Sequence, residues 1–226
     1  MRKTLALVAA LGCFAVSGGA ATTEAEQTYD LLFKGGTLDA VSRDAELTYS
    51  REVRNAASPE AAARDTGAIA LSFEEGEAVL ATLEFRQDGK HRTLGSFPAS
   101  VGNPMIMVFY ESVIRDMAET AGGSPFYIRN RVKEALVQPA EIETGEAVLD
   151  GETVATQTVT LRPFVDDPNR DRMMGFGDLE LRVTMSEEVP GWYLSLVAEA
   201  PGAEGAEGAG EEGYLSAMRF EQVSEQ

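Results

Sequence analysis

The stretch Asn103-Pro104-Met105-Ile106-Met107-Val108-Phe109-Tyr110-Glu111-Ser112-Val113-Ile114-Arg115-Asp116-Met117 decides the fold, because there the hydrophobic period of the chain changes from strand-like to helix-like. Ile106, Phe109, Tyr110, Val113, Ile114 and Met117 recur three and four residues apart, which places them on one face of an amphipathic helix. Gly122-Gly123 ends that helix, and Ser124-Pro125 supplies an N-cap and a first-turn proline for a second one running to about Val137. Phe126, Ile128, Val132 and Leu136 form the apolar side of the second helix. Helices are therefore expected near 104–121 and 125–137.

Outward from this pair in both directions, apolar and polar residues alternate with a period of two, as strands do when one face is buried and the other wet. Ala78 to Gln87 places Val79, Ala81, Leu83 and Phe85 on one face, and Asp178 to Glu187 places Leu179, Leu181, Val183 and Met185 there. Glu46 to Val53, Ala68 to Glu74, Glu152 to Pro163, Gly191 to Glu199 and Gly213 to Val223 read the same way. Gly35-Gly36, Glu75-Gly76-Glu77, Asp88-Gly89, Asp150-Gly151 and Pro190-Gly191 are turn signals, so consecutive strands should be antiparallel neighbours. Asn55 to Asp65, rich in alanine with Ser58-Pro59, has room for one short helix, and Phe164 to Gly177 reads as an irregular connection. The fold class is α+β, mostly antiparallel β: a strongly curved sheet or half-barrel of about ten strands, five before and five after a two-helix insertion packed on its concave face.

Residues 1–21 read as a secretory signal peptide: Met1, Arg2 and Lys3 form a positive start, Leu5 to Val16 an apolar core, and Ser17 to Ala21 a small-residue cleavage region. Cys13, the sole cysteine, sits in Ala10-Leu11-Gly12-Cys13, an imperfect lipobox with leucine one place late. Cleavage makes residues 22–226 one periplasmic or secreted β-rich domain without thiol chemistry or disulfides. The chain carries a formal net charge of −18, which disfavours nucleic acid and anionic surfaces as partners. Residues 200–213, rich in Gly, Ala and Glu, have nothing with which to build a core and read as a flexible acidic loop.

No pattern for a familiar catalytic chemistry emerges. His91 is the only histidine and lies between Lys90 and Arg92, so triads and histidine-rich metal sites are excluded. The glycines of Gly202 to Gly210 are interleaved with glutamates and lead to a strand, which suits no phosphate. No cofactor is implied. Asp167, Asn169, Asp171 and Asp178 have part of the spacing of a calcium loop, but Arg172 occupies the position where its tight turn needs glycine. Met105, Met107 and Met117 are at core spacing, so a thioether copper site with Met173-Met174 is the weaker reading. Arg129, Arg131 and Lys133 form a basic stretch on the second helix, which either pairs with Glu134 and other nearby acids or receives an anionic headgroup or carboxylate.

Strands, a helical pair midway, and more strands behind a signal peptide resemble the half-barrel of the periplasmic lipoprotein carriers (LolA/LolB-like) and related envelope proteins. The resemblance is one of architecture and extends over most of residues 22–226. It implies a bent sheet wrapped around helices, with a hydrophobic cavity between them for acyl chains. Ten half-buried strands offer more apolar surface than two helices hide, so a cavity is expected between sheet and helices, lined by Met105, Ile106, Phe109, Tyr110 and Val113 with Leu83 and Phe85. The expected function is non-enzymatic binding of a lipid or other apolar ligand, or of an envelope partner. The alternatives are an interaction protein with a filled core whose acidic loop meets a basic partner, and a carboxylate-based enzyme.

Overall fold

A computed structural model describes residues 21–22, 25–202 and 213–225. The signal region with Cys13, and all but the two ends of the acidic loop, lie outside the described residues. In chain order the elements are β1 (Ala21–Thr22), α1 (Ala25–Leu32), β2 (Ala45–Asn55), α2 (Pro59–Asp65), β3 (Gly67–Glu74), β4 (Leu80–Gln87) and β5 (Lys90–Pro98). Then come α3 (Met105–Ala121), α4 (Pro125–Leu136), β6 (Glu141–Leu149), β7 (Glu152–Leu161), β8 (Glu180–Met185), β9 (Tyr193–Ala200) and β10 (Tyr214–Glu225). None of the described helices is long and apolar enough to cross a membrane.

The ten described strands form one sheet in the order β1-β6-β7-β8-β9-β10-β2-β3-β4-β5, and every described pairing is antiparallel. The sheet is curved and open. Breaks in register between Leu83 and Glu84, between Thr184 and Met185, and between Phe220 and Gln222 put bulges in three ladders, and bulges bend strands. Two of the turns explain their own sequences. Asp88-Gly89 and Asp150-Gly151 both have positive φ at both residues (51° and 73°, 52° and 87°), the conformation of the two-residue hairpin turn that suits twisted strands.

The topology dictates where the helices go. The chain leaves β5 at one edge of the sheet and re-enters it at β6, which is covered at the other edge only by the two-residue β1. The segment carrying α3 and α4 therefore has to cross the sheet. It does so with Met105, Phe109, Val113 and Met117 of α3 buried, against a sheet face that presents Tyr49, Leu83, Val183 and Leu196.

Among the described residues, four strands and a two-residue one precede α3 and α4, and five come after them, which gives the expected ten. Phe126 departs from its expected place. It is 76% exposed, because α4 buries only the stripe Ile128, Val132 and Leu136. The connection Phe164 to Gly177 is not a surface loop. It buries Phe164, Met173 and Phe176, and the Phe176 ring lies with its centroid 4.9 Å from that of Tyr214.

A partly buried charge network ties α2 and α3 to the sheet. Arg115 Nη2 donates to Asp65 Oδ2 and Asp116 Oδ1, both at 3.0 Å, and Tyr214 Oη donates to Asp116 Oδ2 at 2.9 Å. Burial pushes the Asp116 carboxyl above its ordinary range. Burial also opposes ionisation of Asp65, Asp167 and Glu180, but cationic and hydrogen-bonding neighbours prevail and hold all three below the ordinary range; for Glu111 the Arg129 hydrogen bond does so. These four contribute stability that is present above their unfolded values, about 4, and is lost as pH falls through their lower folded values. Asp116 acts in the opposite sense, since its raised folded value favours the native state as it takes up a proton. With four groups against one, the urea midpoint is expected to fall steadily as the pH is lowered from about 5 to about 3.

Candidate functional site

An eight-residue helix that the hydrophobic periodicity does not reveal builds one wall of the site. α1 is held by its C-terminal carbonyls, which have no partners within the helix. Trp192 Nε1 donates to the Leu31 carbonyl at 3.1 Å, and Tyr193 Oη donates to that of Leu32 at 2.6 Å. Lys34 Nζ lies 4.2 Å from the Trp192 ring centroid. Anchored in this way, α1 presents Tyr29 and, just past its end, Phe33, whose rings are 4.7 Å apart, and Phe33 reaches Tyr110 of α3 at 6.5 Å.

The link from β5 to α3 forms the second wall. Gly102 has φ 124°, and a Cβ there would lie 2.6 Å from the Lys34 carbonyl oxygen, so only glycine fits. Asn103, which is buried, fixes the start of the helix. Its Nδ2 donates to Tyr49 Oη at 3.1 Å and to the Gly191 carbonyl at 2.8 Å, while its Oδ1 accepts from the Met105 N–H at 3.0 Å. The first turn of α3 is thereby bolted to β2 and to the β8–β9 turn. α4 supplies the third wall and is clamped to α3 by Arg129, whose Nε and Nη2 donate to the two oxygens of Glu111 at 2.8 and 2.6 Å.

These walls enclose a cavity of about 620 Å³. Tyr29 of α1 and Phe33 just past it line the cavity, with Ile106, Tyr110 and Ile114 from α3, Val132 and Leu136 from α4, and Tyr193 reaching it from β9. Its rim is apolar and open to solvent, with Val101, Val137, Met107 and Tyr29 all exposed. Lys34, Arg129, Lys133 and Glu111 are the charged residues on its lining.

The cavity is in a different place from the one expected. The space between sheet and α3 is filled, and the surplus apolar face of the sheet is covered by the Phe164 to Leu179 segment as well as by helices. The hollow lies between α1, α3, α4 and the end of β5. Of the seven residues expected to line it, Ile106 and Tyr110 do. Met105, Phe109, Val113, Leu83 and Phe85 belong to the core, each at most 8% exposed. On α3 the stripe Ile106, Tyr110, Ile114 faces the cavity and the neighbouring stripe Met105, Phe109, Val113 faces the core. Both stripes are equally apolar, so periodicity alone does not separate them.

Tyr110 is unusual within this wall. It is 5% exposed, and its hydroxyl has no hydrogen-bond partner among the described residues. Burial pushes the phenol pKa well up, so the group stays a neutral donor. An unsatisfied buried hydroxyl costs about 1–3 kcal/mol. Tyr110→Phe is accordingly expected to stabilise the ligand-free protein by about 1 kcal/mol in urea denaturation, the reverse of the loss seen when a paired buried tyrosine is truncated.

The other sequence candidates lie apart from the cavity. Asp167 is buried and already occupied: it accepts from Tyr127 Oη and from the Asn169 N–H at 2.8 Å, and pairs with Arg131 Nε at 3.0 Å. Asp178 is bound by Arg170, and Asp171 is exposed. The described residues contain no group of three or more His, Cys, Asp or Glu able to hold a metal. His91 is exposed on β5. In the basic stretch, Arg131 pairs with Glu134 and Asp167, and Arg129 with Glu111.

No protein-family model and no curated protein matches the chain. Among solved structures, the Mycobacterium tuberculosis lipoprotein LppX is similar to it at 10% identity, with 89% of this chain and 97% of that chain covered and a TM-score of 0.35.

Proposed function

We propose that this protein is an exported, non-enzymatic carrier or receptor that takes an apolar, acyl-chain-like ligand into the cavity between α1, α3 and α4. The observation that carries this reading is the cavity itself. Its volume of about 620 Å³ falls within the ~300–1,000 Å³ usual for small-molecule sites, and its walls are mainly aliphatic and aromatic. An exposed apolar rim beside such a space is costly to leave bare in water, and a ligand chain covers it.

The test is a titration of delipidated protein with a fluorescent acyl probe, 11-(dansylamino)undecanoic acid, followed by displacement with unlabelled fatty acid. One saturable site per chain, with competitive displacement, is the expected result. Failure to bind the probe or any other acyl compound would remove the proposal and leave the interaction-protein alternative.

A further inference from the structure

We infer that the ligand is an amphiphile with one acyl chain and a single negative charge, a fatty-acid carboxylate, whose headgroup is met at the cavity mouth by Lys133. This rests on the apolar-ligand reading above and adds the chemistry of the headgroup. The chain is strongly acidic and has only four lysines, yet two of them, Lys34 and Lys133, lie on the lining of this one cavity together with Arg129.

Those three cations differ in what they have to offer. Lys34 Nζ is 2.5 Å from Glu187 Oε1, and Arg129 is held in the two-pronged pair with Glu111, 2.6 Å from Nη2 to Oε2. Lys133 is exposed and has no hydrogen bond or ion pair among the described residues. It lies near enough to Glu111 to help hold that carboxyl below its ordinary range, but Glu111 is committed to Arg129. Of the charged side chains on the lining, Lys133 is therefore the one left without a close partner among the described residues, beside a mainly apolar chamber.

This arrangement suits a headgroup with one negative charge. A cationic headgroup meets Lys133 without relief, and a neutral one leaves it idle. A headgroup with several negative charges gains a single partner here while being repelled by a protein whose net charge is −18. The lysine supplies a compact point charge on a flexible stem, so it can track a carboxylate at the mouth while the acyl chain packs along Ile106, Ile114 and Val132.

The experiment measures calorimetric binding of palmitate, hexadecanol and hexadecyltrimethylammonium, which share a chain and differ in headgroup charge, to the wild-type protein, Lys133→Gln and the remote control Lys90→Gln. Palmitate is expected to bind wild-type protein about fivefold more tightly than hexadecanol, the upper end of the gain from a solvent-accessible ion pair, with the cation weakest. Lys133→Gln should bring the palmitate-to-hexadecanol ratio close to one, and Lys90→Gln should leave it unchanged. Equal binding of palmitate and hexadecanol to wild type, tightest binding of the cation, or a ratio insensitive to Lys133→Gln would overturn the headgroup inference while leaving the apolar-ligand reading in place. If none of the three compounds binds, both fall together.

Discussion

Phe109→Ala is expected to destabilise the protein by about 4 kcal/mol, the middle of what removing a buried aromatic ring costs. Phe109 is fully buried and sits on the stripe of α3 that packs toward the sheet, so its loss leaves a void that rigid strands cannot close. The urea midpoint should drop sharply at unchanged slope. A loss below about 1.5 kcal/mol would mean that the ring faces open space, and that the hollow extends between sheet and helix after all.

Asn103→Ala should cost about 3 kcal/mol, for a different reason. The substitution removes little apolar area but strips a donor from Tyr49 Oη and from the Gly191 carbonyl, and an acceptor from the Met105 N–H. Each of those groups is in the interior or at the helix start, where water does not easily replace the partner. Amide exchange at Met105 should accelerate more than exchange in the middle of α3. Uniform acceleration throughout the helix would show that Asn103 serves general stability and does not specifically anchor this end.

The large features of the fold are legible in the sequence because each rests on a strong periodic signal. The strand faces Ala81-Leu83-Phe85 and Leu179-Leu181-Val183-Met185 are buried as their alternation implies. α3 begins after Pro104 and is capped by Gly122, and α4 starts at Pro125. Connections are harder to read. α1 and the residue just beyond it offer only Tyr29, Leu32 and Phe33 at helical spacing, and the helix is held by Trp192 and Tyr193, which are 161 positions away from the carbonyls they bind. The Phe164 to Gly177 segment reads as polar because its buried residues are spaced irregularly among Asp, Asn and Arg, yet Phe164 and Phe176 finish the core.

The site is legible only in part for the same reason. The α3 pattern indicates Ile106 and Tyr110, whereas Tyr29, Phe33 and Val101 reach the cavity from segments whose docking is set by long-range contacts. Weighing the sheet against two helices alone puts the hollow in the wrong layer. Once the segment after β7 is counted as a covering layer, the apolar face of the sheet is accounted for, and the unfilled space falls among the helices.

Photo-crosslinking gives the most direct test of the central claim. Delipidated protein is loaded with a fatty acid bearing a diazirine midway along its chain, irradiated, and mapped by peptide mass spectrometry. Adducts should concentrate in segments 29–34, 101–114 and 129–137, and excess palmitate should abolish them. Labelling spread over the surface, or centred on the sheet-facing residues Leu83, Phe85 and Phe109, would contradict a binding chamber formed by α1, α3 and α4.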